Sequence, residues 1–171
     1  TALMCAAERG HERVVDLLFR HGAEINLQNG DGGTALMAAA GQGHERVVDG
    51  LPRHGAEVNF QSSNGGTALV YAAQHGHERV VEVLLQHGAA VNKQNSRGST
   101  ALMLATNGHE RVVDLLIRRG AEIMQNSVGA TALMTAAIFG HPAVVRRLLR
   151  AGADAAVRAR DGKTALQMAK E

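Results

Sequence analysis

The chain is poor in aromatic residues and in cysteine, and each shortage restricts what it can be. Only 2% of its 171 residues are Phe, Trp or Tyr, and Trp is absent. Its core must therefore consist of Ala, Val, Leu and Met, and the shortage argues against a platform on which nucleic-acid bases stack. The single cysteine, Cys5, excludes an internal disulfide, which fits a reducing compartment. We therefore expect an intracellular protein, cytoplasmic or nuclear. No apolar run approaches the ~20 residues of a membrane span.

One unit recurs at a nearly constant interval. Its opening Thr-Ala-Leu begins at Thr1, Thr34, Thr67, Thr100, Thr131 and Thr164, in steps of 33, 33, 33, 31 and 33 residues. A Gly-His pair follows in the first five units, with its histidine at His11, His44, His77, His109 and His141. A period between about 20 and 50 residues is typical of a solenoid, in which each unit buries its apolar face against its neighbours. Solenoids present a long surface rather than an enclosed catalytic pocket.

Each unit predicts two helices followed by a polar loop. In the first unit, Thr1 is expected to cap the first helix with its hydroxyl. The second helix is predicted from about Glu12 to Arg20, with Val14, Leu17 and Leu18 as its apolar face. We therefore predict an all-α solenoid of stacked helix-turn-helix units, with protruding loops that resemble β-hairpins.

The unit resembles the ankyrin repeat, whose consensus joins Gly-x-Thr-Pro-Leu-His to Gly-His and to Gly-Ala-x-Val-Asn. The second unit carries this pattern at residues 32–37, 43–44 and 55–59, and the similarity covers essentially the whole chain. The family's phasing predicts a single array with units 1–28, 29–61, 62–94, 95–125, 126–158 and 159–171. Because the first and last units are partial, we expect the chain to be cut from a longer array, which could also have carried a signal peptide.

Three departures from the family pattern carry expectations. The consensus His after Leu is replaced throughout, so its side-chain hydrogen bonds are expected to be absent. In the second unit, Gly50 and Pro52 replace Leu17 and Phe19 of the first, which predicts a weak second helix. The fourth unit lacks two residues, which predicts a local shift of the stack.

The resemblance implies a non-enzymatic scaffold that binds another protein on its concave face and loop tips. The family varies the two residues before Gly-His and the loop residues beside Gly-x-Thr. Only the fifth unit has two large apolar residues before Gly-His. The candidate contact residues are Tyr71, His75, Val128, Ile138 and Phe139. As an alternative, Ile138 and Phe139 pack under the adjacent loop or against a continuation of the array.

Metal binding and catalysis find little support in the sequence. The Gly-His histidines recur once per unit, so neighbouring ones are expected ~10 Å apart, the spacing of packed helices. Histidines that share a zinc ion each lie ~2 Å from it, so this spacing is too wide. We therefore expect them to be structural, at the start of the second helices. No nucleophile has a base at a suitable spacing, and Cys5 lies where other units carry unrelated residues. We predict no enzyme activity, metal, cofactor or small-molecule substrate.

A possible modification follows from the resemblance alone. The family's asparagine-hydroxylase targets are Asn residues that end Gly-Ala-x-Val-Asn, with Leu eight residues earlier. The positions that match are Asn26, Asn59 and Asn92. The alternative is that these residues stabilise the loop turn.

Charge is unevenly distributed along the chain. Residues 1–99 contain 8 Lys or Arg against 10 Asp or Glu, while residues 100–171 contain 10 against 6. The basic C-terminal residues are Arg146, Arg147, Arg150, Arg158, Arg160 and Lys163. A solvated outer face is the ordinary interpretation, and docking of an acidic or phosphorylated ligand or of nucleic acid is the alternative. A further alternative is an intramolecular structural or regulatory segment of a larger enzyme or channel.

Overall fold

The computed structural model describes residues 1–170, which form helices joined by turns and loops. The helices are α1 (Ala2–Glu8), α2 (Glu12–Arg20), α3 (Ala35–Gln42), α4 (Glu45–Arg53), α5 (Ala68–Gln74), α6 (Glu78–Gln86), α7 (Ala101–Ala105), α8 (Glu110–Arg118), α9 (Ala132–Ile138), α10 (Pro142–Arg150) and α11 (Ala165–Met168). Within this span there is no strand, and an isolated antiparallel bridge joins Gln125 to Thr131 in a loop. The predicted all-α repeat fold is confirmed.

Residue contacts divide the chain into two compact blocks. We call them the N-terminal block (Thr1–Ala90) and the C-terminal block (from Val91 onward). In the N-terminal block, the first helices of successive units, α1, α3 and α5, pack in one row, and the second helices, α2, α4 and α6, pack in another. In the C-terminal block, α7, α9 and α11 form the first row, and α8 and α10 the second. From α1 to α10, each first helix also packs on the second helix of its own unit.

The apolar face of the second helices differs from the predicted one. In α4 the buried residues are Val47, Val48 and Leu51, which correspond to residues 14, 15 and 18 of the first unit. At Gly50, the counterpart of Leu17, a Cβ atom would meet nothing within 4 Å. Leu17 itself is 57% exposed. The prediction of Leu17 as a core residue is therefore wrong, because this position points away from the neighbouring helices.

Val14 is also exposed, at 44%, although its counterpart Val47 is only 3% exposed. The difference arises because α2 has only one neighbouring second helix in the N-terminal block, α4, whereas α4 lies between α2 and α6. Val15, on the side of α2 that is covered, is buried at 5% exposure. Burial on this helix thus depends on which neighbours the unit has, and the helix's own sequence pattern does not reveal it.

The short fourth unit loses its missing residue at the end of α7, which has five residues where α5 has seven. The His77 N–H donates to the Ala72 carbonyl in the third unit, whereas the His109 N–H donates to the nearer Ala105 carbonyl, both at 3.0 Å. Thr106 occupies the turn after α7 with a fully buried side chain, whose Oγ1 donates to the Met103 carbonyl at 2.6 Å. Helix α8 keeps nine residues, the same length as α6. The missing residue therefore shortens the first helix and leaves the second helix intact.

Candidate protein-binding surfaces

Threonine caps fix where the first helices begin. In α3, α5, α7 and α9 the cap hydroxyl accepts a hydrogen bond of 3.3 or 3.4 Å from the backbone N–H three residues later. These buried caps are Thr34, Thr67, Thr100 and Thr131. Before α11, the N–H of the half-buried Thr164 donates to Gln167 Oε1 at 2.9 Å. The caps anchor each helix to its loop and so determine where its last residues project.

A methionine sulfur takes over one of the hydrogen bonds that the sequence led us to expect to be absent. Met134 occupies the position of the family's His, and its Sδ accepts from the Thr131 N–H at 3.4 Å. Thioether sulfur is a weak acceptor, so the start of α9 keeps part of the capping that the consensus His would provide.

The Gly-His pairs interlock successive units in the N-terminal block. His44 Nε2 donates to the Glu8 carbonyl at 2.8 Å, and His77 Nε2 donates to the Gly41 carbonyl at 3.0 Å; a carbonyl only accepts, so Nε2 carries the proton. A Cβ at Gly43 would lie 2.7 Å from His77 Nδ1. The glycine of one unit thus leaves room for the histidine of the next. The N-cap position of the other second helices is held by His11, His109 and His141.

Asparagine side chains clamp the backbone of the following unit. Asn59 Nδ2 donates to the Gly88 carbonyl at 3.1 Å, and the Ala90 N–H donates to Asn59 Oδ1 at 2.8 Å. Asn26 and Asn92 make the same pair of bonds to their own next unit. Both ends of each amide are therefore engaged between units. Hydroxylation of these residues stays a prediction, tested by mass spectrometry of natural material.

The sequence reasoning missed a row of loop glutamines. Gln28 Nε2 donates to the Gln61 carbonyl at 3.3 Å, and Gln125 Nε2 donates to the Arg158 carbonyl at 3.2 Å. Gln94 Nε2 donates to the Gln125 carbonyl at 3.3 Å. Gln recurs at the same place in four units, with Arg158 in the fifth, so the repeat interval contained the signal. Within each block, these hydrogen bonds therefore connect the loops of neighbouring units.

Tyr71 and His75 line a groove of about 320 Å³ in the N-terminal block. The Tyr71 hydroxyl donates to Asn64 Oδ1 at 3.1 Å and lies 2.8 Å from Ser62 Oγ, so its own loop holds the ring in place. A Cβ at Gly66 would come within 2.8 Å of the ring carbon Cζ. His75 is exposed, and its Nδ1 lies 2.9 Å from the Tyr71 carbonyl. Tyr71 is therefore a fixed wall of the groove beside an exposed imidazole.

The other three candidates lie in the C-terminal block. Ile138 is the last residue of α9 and Phe139 is its C-cap, and each is 55% exposed. Val128 lies in the preceding loop and is 54% exposed. Its N–H donates to Asn126 Oδ1 at 3.1 Å and its carbonyl accepts from the Arg160 N–H at 3.0 Å. Packing under the adjacent loop, the alternative drawn from the sequence, does not bury Ile138 or Phe139.

A mostly apolar groove of about 670 Å³ adjoins this helix end. It lies between α9, α10 and α11, and its lining includes Ala137, Gly140, Leu149 and Leu166. Because Ala137 and Gly140 flank the Ile138–Phe139 pair in the chain, the groove and the exposed pair begin at the same turn. The C-terminal block therefore has both an apolar groove and an exposed apolar pair beside the turn that follows α9.

The basic residues near the C-terminus are divided between internal contacts and solvent. Arg147 pairs with Asp114 on the neighbouring helix α8, and Arg158 Nη1 donates to the Gly162 carbonyl at 2.6 Å. Arg158 is nevertheless exposed, as are Arg146, Arg150 and Arg160. Because Arg147 and Arg158 make contacts within the chain, the six residues do not act together as one unpaired basic surface.

The side-chain clusters and helix lengths of the described part of the chain provide neither a metal site nor a membrane span. Among residues 1–170, no group of three or more His, Cys, Asp or Glu side chains is placed to hold a metal ion. In the same span, every helix falls short of the length and apolar character that crossing a membrane requires. Cys5 is an exposed free thiol on α1.

Two family models match this chain. The first, described as ankyrin repeats in three copies, matches residues 1–62 and 43–127. The second, described as ankyrin repeats in many copies, matches residues 116–169. Comparison with curated proteins gives no match. The matched residues contain the threonine caps, the Gly-His pairs and the paired helices described above. The chain therefore belongs to the ankyrin repeat family.

Proposed function

We propose that this chain is a non-enzymatic scaffold that binds a partner protein through the ends of its first helices and the tips of its loops. Ankyrin repeats are generally protein–protein interaction modules, and proteins built from them are typically non-enzymatic. Two places on these elements support the proposal. One is the groove beside Tyr71 and His75, and the other is the exposed pair Ile138 and Phe139 at the end of α9, with Val128 exposed in the preceding loop.

The exposed pair at the end of α9 carries the proposal. Ile138 and Phe139 each remain 55% exposed, although large apolar side chains gain free energy when they leave water. Binding hot spots are enriched in aromatic residues and depend on their complete desolvation by a partner. In the third unit, which has the full repeat length here, the same two positions hold the exposed polar residues Gln74 and His75. The fifth unit therefore differs in a way that the repeat itself does not require.

Truncation of Phe139 tests this surface. The Phe139→Ala variant should bind the partner more weakly by ~2 kcal/mol or more, while its melting temperature stays nearly unchanged because the ring is already largely in solvent. Leu17→Ala is the matched control, since Leu17 is equally exposed, at 57%, but lies on a second helix. Partners are first isolated by affinity purification with the wild-type chain, identified by mass spectrometry, and then titrated with all three purified proteins.

Each outcome of the titration is informative. Loss of affinity in Phe139→Ala with normal affinity in Leu17→Ala supports the proposed surface. Equal affinity of all three proteins, or early unfolding of Phe139→Ala, removes it. The sequence also suggested docking of an acidic ligand at the basic C-terminal residues. That alternative predicts a steep loss of affinity with salt, which contact through Ile138 and Phe139 does not.

A further inference from the structure

We propose that the groove of the N-terminal block binds an extended segment of a partner protein in which a Lys or Arg lies next to an apolar side chain. The inference deepens the proposed function and rests on it, since it names the chemistry of one partner segment. We call this site the acidic groove, lined by Met4, Glu8, Asp31, Met37, Gln42 and Tyr71 among others.

Small residues on the middle helix create the acidic groove. Helices α1, α3 and α5 pack in a row, and α3 has Ala38 and Gly41 where α5 has Tyr71 and Gln74. A Cβ at Gly41 would already lie 3.8 Å from Tyr71 Cβ, within ordinary contact distance. The missing side chains therefore leave a hollow between two bulkier helices. Its volume of about 320 Å³ lies at the lower end of the range for ligand sites, which suits one or two side chains.

The base of the hollow is apolar and adaptable. Met4 and Met37 line it and are 9% and 5% exposed, so each presents only a small part of its surface. Unbranched thioether side chains adjust their shape to different apolar partners. Tyr71 adds an aromatic wall whose hydroxyl is already occupied by its loop. An apolar side chain from a partner would therefore meet methionine and aromatic surface in this part of the groove.

The charges around the hollow are acidic. Glu8, at the end of α1, and Asp31, in the loop between α2 and α3, are exposed. Within residues 1–170 neither carboxylate has a hydrogen-bond or ion-pair partner. No Lys or Arg lines the groove; Arg9, which follows Glu8 in the chain, lies outside the lining. Clefts lined by one sign of charge attract ligands of the other sign, and unpaired carboxylates suit the cationic end of a Lys or Arg side chain.

Peptide selection tests the proposal without an identified partner. A random dodecapeptide library is selected on the immobilised full chain, and the enriched peptides are synthesised and titrated. We expect Lys or Arg adjacent to Leu, Ile, Met or Phe to be enriched. In the double variant Glu8→Gln, Asp31→Asn, affinity for these peptides should fall roughly 2- to 30-fold, as the loss of two exposed charge pairs implies. These exposed isosteric changes should leave the melting temperature unchanged.

A local reporter decides where the peptide binds. With ¹³C-labelled methionine methyl groups, the resonances of Met4 and Met37 should shift on peptide addition, and those of Met103 and Met134 in the C-terminal block should not. Failure to enrich any peptide, enrichment of acidic peptides, undiminished affinity of the double variant, or shifts confined to Met103 and Met134 would each overturn the proposal. Phe139→Ala should bind these peptides normally. A chain that binds them but fails the Phe139 test therefore retains the acidic groove and loses only the surface at α9.

Discussion

Replacement of Gly50 by Ala is expected to stabilise the chain, and the reason lies in the backbone of α4. Gly50 is inside this helix, and a Cβ there would meet nothing within 4 Å. The added methyl group therefore neither clashes nor gains packing. What remains is helix propensity, which favours Ala over Gly by ~1 kcal/mol at a helix interior. We expect the free energy of unfolding to rise by about this amount.

Gly55 offers a matched control in the same unit. A Cβ at Gly55 would also meet nothing within 4 Å, but this residue has a φ of +93°. An L side chain in the left-handed region costs ~1–2 kcal/mol. Gly55→Ala should therefore destabilise the chain, although it adds the same methyl group to equally open space. Both variants add a methyl group to open space, but Gly50 has helical backbone and Gly55 has left-handed backbone after the helix. Opposite effects on stability would therefore reflect backbone conformation rather than packing.

Urea denaturation followed by circular dichroism measures both effects, and thermal melting provides a second estimate. For a chain of this length, 1 kcal/mol corresponds to roughly 2–4 °C in melting temperature. Amide exchange within α4 should be recorded as well, because repeat arrays can unfold in parts. A loss of stability in Gly50→Ala, or shifts of both variants in the same direction, would refute the argument from backbone conformation.

Three further predictions concern the N-terminal block. Because Pro52 lacks an amide and Gly50 lowers helix propensity, hydrogen exchange should be faster at 47–54 than at the equivalent 80–87, and equal protection would contradict this. Asn59→Ala removes two hydrogen bonds to the next unit and should cost ~1–3 kcal/mol in a urea titration; unchanged stability would show that water replaces the clamp. Gly43→Ala should destabilise more than Gly55→Ala, because its Cβ would lie 2.7 Å from His77 Nδ1 and φ is +81°. Melting temperatures in any other order would argue against the Gly-His interlock.

The sequence was sufficient for the arrangement of helices because the spacing of Gly and Thr determines where they begin and end. The second helix predicted from about Glu12 to Arg20 has these bounds in the structure. Its apolar face could not be predicted equally well. Val14, Val15, Leu17 and Leu18 are all apolar, and two different helical faces fit this run. Which one is buried depends on the position of the first helix across the turn, which residue periodicity alone does not contain.

The fourth unit shows a different limit. A deletion is visible in the interval between Thr100 and Thr131, yet the sequence does not indicate whether a helix or a turn becomes shorter. In the structure the first helix is the element that becomes shorter, since α7 has five residues where α5 has seven. The His109 N–H then donates to the Ala105 carbonyl. Thr106, directly after the shortened helix, satisfies its buried hydroxyl by donating to the Met103 carbonyl.

The candidate surfaces were only partly predictable, for a related reason. Tyr71 and His75 were both among the candidate contact residues drawn from the sequence, and the structure places both along one groove. The hollow itself arises from Ala38 and Gly41, whose small size matters only because larger residues flank them on neighbouring helices. A sequence read one unit at a time does not show this. Comparison of the same position across three consecutive units would have indicated it.

Residues that recur from unit to unit and residues that occur in only one unit have different roles in this chain. The residues that recur, such as His77 and Asn59, bond to the backbone of an adjacent unit. Such a residue is already engaged, so it has little left to offer a partner. Phe139 recurs in no other unit and is 55% exposed. The same holds for Glu8, whose backbone carbonyl accepts from His44 while its carboxylate is unpaired within residues 1–170. Binding specificity in such an array is therefore expected where a unit departs from its repeat on an exposed side chain.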